Sequence, residues 1–342
     1  MENEIKNELE TYGFIITEDF INKLSKNDIN MIQSQIKEFQ IIEITNKGNN
    51  TNIYFYDKNL SKIKNRYVID NYISKGTYNK TYNVSDLSNN KEYVFRILIN
   101  KIESFDKLVF NITEYFIHTF LYSYFNIHKE YGKNKILKII QIGYNKNNNF
   151  ISSINEKMNG TLFFILSNKQ IEHSIKLEIL IKVLYQIINL LEILQDKFQF
   201  MHNDLKSDNI FFKFKDDTIE NKYTPENINF FLGDFDASIL MIDGIFIGST
   251  HLSPKKDLQK KKDIFLLINS LFFSFNNNEW KTTFFNNFPI IILIANNEKI
   301  FHSLYSYEDE NINDIYLFHN LKQILDKFSN NKIKTKFKIN YD

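Results

Sequence analysis

The sequence contains no cysteine, and this absence excludes several kinds of chemistry. Without thiols the chain cannot form disulfides, thiolate zinc sites or a cysteine nucleophile. The absence of cysteine also suits a reducing intracellular compartment. Any catalytic chemistry must therefore come from side chains that carry oxygen or nitrogen.

Neither sign of charge predominates, and long apolar runs are also missing. The 42 Lys and Arg residues nearly balance the 41 Asp and Glu residues, so no global field attracts nucleic acid or a membrane surface. Runs such as 264–275 and 288–295 are shorter than the roughly 20 apolar residues that span a bilayer. The N-terminal MENEIKNELE is charged and lacks an apolar signal core. We expect an intracellular, cytoplasmic protein with no membrane span and no nucleic-acid partner.

Glycine and proline are scarce, with 9 and 3 copies in 342 residues, whereas Asn, Lys, Ile, Phe and Tyr are abundant. Those five residues have A/T-rich codons, so the bias is typical of a large DNA virus or an A/T-rich microbial genome. A hydrophobic fraction of 43% and a charged fraction of 24% indicate a globular chain with one large domain or two moderate ones.

The pattern of apolar residues divides the chain in three. Residues 1–65 are predicted to form a helical N-terminal extension, with an amphipathic helix at 19–39 and a short strand-like piece at 53–56. From residue 66 the pattern predicts β-β-β-α-β-β, a small half-domain. Its predicted elements are strands 67–74, 80–85 and 92–99, helix 105–125, and strands 136–144 and 150–156.

The last part of the chain is predicted to be mainly helical. After a break at 159–160, a long periodic helix covers 177–198, and a nearly all-apolar helix at 263–275 is predicted to be buried. Between them lie two predicted strands, 210–214 and 228–232, joined by a polar loop.

The segment HNDLKSDN, which leaves the long helix, is the strongest candidate for catalytic chemistry. It presents a carboxylate at Asp204, a cation at Lys206 and an amide at Asn209, and a second carboxylate, Asp234, follows the next predicted strand. A base, a lysine and oxygen ligands for Mg²⁺ are what phosphoryl transfer requires. The order and spacing of these residues therefore predict a phosphotransferase site.

HNDLKSDN resembles the catalytic loop H-R-D-L-K-x-x-N of the eukaryotic-type protein kinase superfamily. The resemblance covers roughly residues 67–275. It implies a two-lobed α+β fold, with a small five-stranded antiparallel N-lobe that carries one helix (66–157) and a larger, mainly α-helical C-lobe (158–342). The kinase-like domain would then span residues 66–342.

The resemblance also implies a nucleotide site. ISKGTYNKTY looks like a worn glycine-rich loop that retains Gly76, and YVFRIL looks like the third strand with Arg96 in place of the phosphate-binding lysine. Glu114, on the predicted helix, is the expected ion-pair partner of Arg96. NEKMNGTL is similar to the interlobe hinge, whose backbone near Glu156 and Met158 would hold adenine.

The resemblance implies that Asp204 is the catalytic base and that Lys206 neutralises charge on the transferred phosphate. It also implies that Asn209 and Asp234 hold Mg²⁺. Asp263 matches the aspartate that anchors the backbone of the catalytic loop. The implied activity is ATP-dependent phosphorylation of Ser or Thr in a protein substrate, because Lys206 after the aspartate is typical of that class. His202 is expected to be structural, and the oligomeric state is not indicated.

Several positions depart from the kinase pattern. Arg96 keeps the charge of the lysine but not its compact shape, and Lys75 or Lys80 would either replace that lysine or face solvent. Ser74 and Asn79 occupy glycine positions, which reduces close approach of the backbone to phosphates.

Two further departures concern the metal and the regulation. Asp236, in place of a glycine, would recruit a second cation, favour Mn²⁺ or point to solvent. Asn203 replaces an arginine, and no A-P-E stretch follows, so we expect activity to be independent of activation-loop phosphorylation. Two alternatives stay open. The first is a catalytically weak or inactive pseudokinase that acts as a binding or scaffold module, and the second is a kinase-like small-molecule phosphotransferase, which Lys206 disfavours. If the source is viral, the host cytoplasm or the virion is the expected location.

Overall fold

The computed structural model describes residues 40–47, 50–56, 63–75, 79–98, 105–131, 133, 135–145, 150–220, 222–242, 245–248 and 259–274. The chain forms two compact units. The first comprises Met1–Ser123 and Leu137–Lys157, and the second comprises Tyr124–Ile136 and Met158–Asp342. None of the helices in these described ranges is long and apolar enough to cross a membrane.

The first unit is built on a closed barrel of seven strands in the order β1-β2-β3-β4-β5-β7-β6. Neighbouring strands are antiparallel except at the parallel contact between β1 and β6. The strands are β1 (Gln40–Lys47), β2 (Asn50–Tyr56), β3 (Ile63–Lys75), β4 (Asn79–Asp86), β5 (Glu92–Leu98), β6 (Ile139–Asn145) and β7 (Phe150–Glu156). Helix α1 (Phe105–Ile127) lies between β5 and β6 in the chain.

The inside of the barrel is filled by aromatic and β-branched side chains that alternate with outward-facing ones. Tyr67 is buried there, and its ring contacts Phe55 and Tyr93 edge to face at centroid distances of 5.7 and 5.9 Å. The Tyr67 hydroxyl donates to Gln141 Oε1 at 2.7 Å, which satisfies the polar end of this buried ring. Burial raises the pKa of Tyr67 well above its usual range.

The second unit combines helices with two small sheets. Its helices are α2 (Leu162–Ser167), α3 (His173–Phe198) and α4 (Gln259–Ser274). Strands β8 (Gly160–Thr161), β9 (Ile210–Phe214) and β10 (Ile228–Leu232) form one antiparallel sheet in the order β10-β9-β8. Strands β11 (Ile239–Ile242) and β12 (Ile245–Gly248) form a hairpin. Helix α3 is buried over much of its circumference, which explains its mostly apolar sequence.

The structure corrects the predicted fold in two respects. The sheet of the first unit has seven strands, not five, because β1 and β2 lie in the segment 1–65, which was predicted to be a helical extension with only a short strand-like piece at 53–56. The second unit is not clearly helical in its described part, where three helices stand beside five short strands. The helix predicted at 19–39 and everything after residue 274 lie outside the described residues.

Candidate functional site

The backbone of the HNDLKSDN segment is held by groups that are distant in sequence. Met201 exchanges two backbone hydrogen bonds with Ile239, both of 2.9 Å. The fully buried carboxylate of Asp263, on α4, accepts the backbone N–H groups of His202 at 2.7 Å and Asn203 at 2.8 Å. The start of the segment is therefore fixed to α4 by a charged acceptor, which makes stronger hydrogen bonds than a neutral one.

Asn203 adopts the left-handed conformation, with φ of 63°. Asn tolerates this region better than most residues because its short polar side chain can bond locally. Here its Nδ2 donates to Ala237 O at 3.0 Å. Asn203 thus helps to shape the loop, and the expected independence from activation-loop phosphorylation stays a prediction.

Two serines of α4 hold the middle of the segment, and the sequence analysis missed both. Ser270 Oγ accepts the backbone N–H of Ser207 at 2.9 Å. Ser274 Oγ donates to Ser270 O at 2.6 Å, so its 2.7 Å contact with Ser207 Oγ is one in which Ser207 donates. The available signal was a pair of serines four residues apart in the mostly apolar second half of the helix.

His202 is buried and packs among aromatic rings. Its ring lies 5.4 Å from that of Phe235 and 6.3 Å from that of Phe200, centroid to centroid. Nε2 contacts Gly233 O at 3.1 Å, which links the loop to the residue before Asp234. This environment suits the structural role expected for His202.

Two polar side chains of the motif converge on one carboxylate oxygen of the third, Asp204. Lys206 Nζ donates to Asp204 Oδ2 at 2.6 Å, and Asn209 Nδ2 reaches the same oxygen at 3.2 Å. Asn209 Nδ2 also donates to Asp204 O at 2.8 Å, which closes the loop on itself. The other carboxylate oxygen, Oδ1, is thereby left for a further partner.

The charge of Lys206 is stabilised by acidic neighbours. Burial lowers the pKa of Lys206, but its hydrogen bond to Asp204 and the charges of Asp204, Asp234 and Asp208 outweigh burial and raise the pKa above its ordinary value. Lys206 therefore remains a cation at neutral pH.

Asp234 follows β10 and also has a left-handed backbone, with φ of 63°. The N–H of the preceding Gly233 donates to Asn209 O at 3.1 Å, so the backbones of the two predicted metal-binding segments are joined. Carboxylate oxygens of Asp204, Asp234 and Asp236 lie within 4.8 Å of one another, and all three residues are half-buried.

This donor set fits a hard divalent cation. Mg²⁺ and Mn²⁺ prefer carboxylate and amide oxygens, and a cation would offset the mutual repulsion of three close carboxylates. Because Asn209 turns its Nδ2 toward Asp204, its amide oxygen is the atom that it offers to a cation. Asp236, a departure from the kinase pattern, joins the predicted ligand Asp234 in this cluster.

In the first unit, Arg96 and Glu114 form an ion pair between β5 and α1. The Glu114 side chain is only 3% exposed and that of Arg96 17% exposed. A guanidinium paired with a carboxylate in such a place makes charge-assisted hydrogen bonds that are poorly screened by solvent.

The remaining predicted nucleotide-binding residues are less closely defined. The Glu156 N–H, at the end of β7, donates to Lys138 O at 3.0 Å, and Met158 lies half-exposed before β8. Gly76 lies outside the described residues. Lys75 and Lys80 face each other in the β3–β4 register, with Lys75 exposed and Lys80 half-buried.

No protein-family model and no curated protein sequence matches this chain. Its structure is similar to the crystal structure of the BubR1 kinase domain, with a TM-score of 0.54 over 94% of this chain and 95% of that chain. The sequences are 14% identical over this alignment. At that identity the likeness establishes the fold alone, and the chain therefore has a kinase-like fold.

Proposed function

We propose that this chain is an ATP-dependent protein kinase that transfers the γ-phosphoryl group to Ser or Thr hydroxyls. The observation that carries the proposal is the convergence of Lys206 and Asn209 on one oxygen of Asp204. This arrangement occurs in a chain with a kinase-like fold, and Asp234 and Asp236 lie beside it. Three unrelated loop residues would have no reason to adopt such an arrangement.

Asp204 would act as the base. Two donors already engage its Oδ2, so Oδ1 is the atom that would accept the proton of the substrate hydroxyl. The hydroxyl oxygen forms a bond to the γ-phosphorus, and the bond from that phosphorus to the β–γ bridging oxygen breaks. The products are the phosphorylated residue, ADP and a proton held first by Asp204.

Lys206 would offset the negative charge on the transferred phosphoryl group, and its raised pKa keeps it charged for that role. Asn209 and Asp234, with Asp236 beside them, would hold Mg²⁺ or Mn²⁺. When bound, the cation supplies neutralisation of phosphate charge and fixes the direction of the phosphate chain.

In the first unit, Arg96 would bind the α- and β-phosphates, and Glu114 would fix its orientation. The backbone near Gly76, Glu156 and Met158 is proposed to contact the nucleotide, Gly76 at the phosphates and the other two at adenine. The preference for Ser and Thr over Tyr rests on Lys206 and on the resemblance of its segment to Ser/Thr kinases.

The proposal is tested with radiolabelled ATP, a generic protein substrate and either Mg²⁺ or Mn²⁺. Asp204→Ala should lower the rate by about 10²–10⁴-fold, the usual contribution of a general base. Asp234→Ala should also abolish most activity, whereas Asp217→Ala, at an exposed carboxylate of the same unit, should not.

Equal incorporation by wild type and the Asp204 variant would contradict the proposal and favour a pseudokinase scaffold. Label on a sugar or amino alcohol but on no protein would instead favour a small-molecule phosphotransferase. Label on tyrosine alone, read by phosphoamino-acid analysis, would contradict the assignment to Ser and Thr.

A further inference from the structure

Asn79 and Arg96 depart separately from the kinase pattern in sequence, yet in the structure they contact each other. In the β4–β5 register Arg96 lies opposite Thr81, and Asn79 is two residues from Thr81 on the same strand. Such diagonal neighbours lie on one face of a sheet and are within reach of long side chains. The side-chain amide of Asn79 lies against the guanidinium, and the hydrogen-bond network assigns its oxygen to the side that faces the donors. In that orientation the oxygen accepts from Arg96 Nη2 at 2.6 Å and from Nε at 3.1 Å.

The guanidinium is thus held along two edges. Glu114 takes a hydrogen bond from Nη1, and Asn79 takes one from each of Nη2 and Nε. Because a guanidinium is planar with donors in a fixed fork, acceptors on two edges fix both its position and the direction of its plane. An ammonium has no plane to fix and needs no second acceptor.

The surroundings make this support important. The Arg96 side chain is 17% exposed, so it is largely desolvated. If a long, flexible side chain must become ordered when the ligand arrives, the lost conformational entropy lowers the affinity of the protein for that ligand. An acceptor that orders it beforehand removes that cost.

We propose that Asn79 is a positioning residue that orients the guanidinium of Arg96 toward nucleotide phosphate. The two departures from the kinase pattern, asparagine for glycine at position 79 and arginine for lysine at position 96, would then depend on each other. A glycine at position 79 has no side chain to do this, and a lysine at position 96 would not use it. The proposal rests on the proposed kinase function for its ligand, ATP. The contact itself can be tested without a nucleotide.

The first measurement follows the contact directly. The chain has two arginines, Arg66 and Arg96, so selective ¹⁵N-arginine labelling gives two Nε–H signals. In the full chain, Asn79→Leu should shift the Arg96 signal and speed its exchange with water, because the acceptor of Nε is lost. Arg66, which donates to Asn52 from Nη2, serves as the internal reference.

Asn83→Leu is the matched control. Asn83 is on the same strand, and its amide donates to Asn71 Oδ1 rather than to an arginine. The Arg96 signal should be the same in this variant as in wild type. An unchanged Arg96 signal in Asn79→Leu would overturn the contact and the proposal with it.

The second measurement is the affinity for ATP in the presence of Mg²⁺, by calorimetry. Asn79→Leu should weaken binding by about three- to tenfold, the worth of one or two hydrogen bonds, and Asn83→Leu should leave it unchanged. In an Arg96→Lys background the same Asn79→Leu change should have no further effect, because the ammonium does not depend on Asn79.

If the losses of ATP affinity in Asn79→Leu and Arg96→Lys simply add in the double variant, the positioning role is overturned even if the NMR contact is present. An unchanged ATP affinity in Asn79→Leu would overturn it as well. If wild type binds no ATP at all, the proposed kinase function fails, and the role toward nucleotide fails with it. The arginine spectrum in that case still decides whether Asn79 holds Arg96. The two failures are therefore distinguishable.

Discussion

The carboxylate of Asp263 accepts the backbone N–H of His202 at 2.7 Å, although 61 positions separate the two residues in sequence. The same carboxylate accepts the N–H of Asn203. A single buried side chain on α4 therefore satisfies two consecutive backbone donors at the point where the HNDLKSDN segment begins.

We predict that Asp263→Ala lowers the free energy of unfolding by about 2–4 kcal/mol, because two buried N–H groups lose a charged acceptor. Urea denaturation of the full chain measures the change. Asp217→Ala, at an exposed site, should shift the midpoint little. A loss in Asp263→Ala no larger than in this control would contradict the anchoring role.

Ser270→Ala should destabilise the middle of the segment. The substitution leaves the backbone N–H of Ser207 without the hydroxyl that it bonds at 2.9 Å, at a cost of about 1–2 kcal/mol. Phosphotransfer should fall as well, because Lys206 and Asn209 flank Ser207. The comparison is Ser167→Ala, whose hydroxyl bonds within its own helix. Equal stability and equal rates in the two variants would show that Ser270 does not hold the loop.

The stability of the protein should depend on pH through Lys135. Burial, followed by the charges of Lys133 and Lys215, lowers the pKa of Lys135 from 10.5 to about 8. Between these two pH values the unfolded chain binds more protons than the folded one, so the free energy of unfolding rises with pH across this window. Below pH 8 the folded state bears the full cost of a poorly solvated ammonium.

Lys135→Met should therefore stabilise the protein at pH 7 by about 1–2 kcal/mol, a value reduced for the partial exposure of the side chain. The gain should shrink as the pH approaches 10.5. Chemical denaturation of both proteins across this range tests the prediction, and Lys169→Met provides an exposed reference. A difference that does not vary with pH would contradict it.

Asp236 should contribute to cation binding in the absence of nucleotide. Its carboxylate lies within 4.8 Å of those of Asp204 and Asp234, so Asp236→Gly removes one of three close oxygen donors. We expect Mn²⁺ affinity, measured by electron paramagnetic resonance of the free ion, to fall several-fold. Asp217→Gly should leave the affinity unchanged. Equal Mn²⁺ binding by Asp236→Gly and wild type would show that Asp236 is not a ligand of the cation.

Elements whose signal lies in their own sequence were predicted well. Strands β7, β9 and β10 have the predicted bounds, and β9 and β10 alternate buried with half-buried side chains along their length. Strand β1 was not predicted and β2 was predicted only at 53–56, because polar Asn, Lys and Thr residues interrupt the alternation of β1 and of the first half of β2. Their partners become evident only when the barrel closes through the contact of β1 with β6, about a hundred residues away in the chain.

The candidate site likewise combines contacts that are local in sequence with contacts between distant parts of the chain. Asp204, Lys206 and Asn209 occupy one short loop, so their convergence could be predicted from spacing. The contact of Asn79 with Arg96 depends on the register of two strands, and the support of Ser207 depends on which face α4 presents. Both require the tertiary structure, since no local pattern encodes them.

The closed barrel of the first unit has a consequence for how that unit meets other proteins. Sheets that end in an unpaired strand can bind an extended peptide, or aggregate, by adding a further strand at that edge. In the described residues each of the seven strands has a neighbour on both sides, although β1 and β6 pair over only two positions, Gln40 with Gly143 and Ile41 with Tyr144. Along the paired lengths of these strands, a protein that binds this unit would therefore dock on side chains and loops rather than extend the sheet.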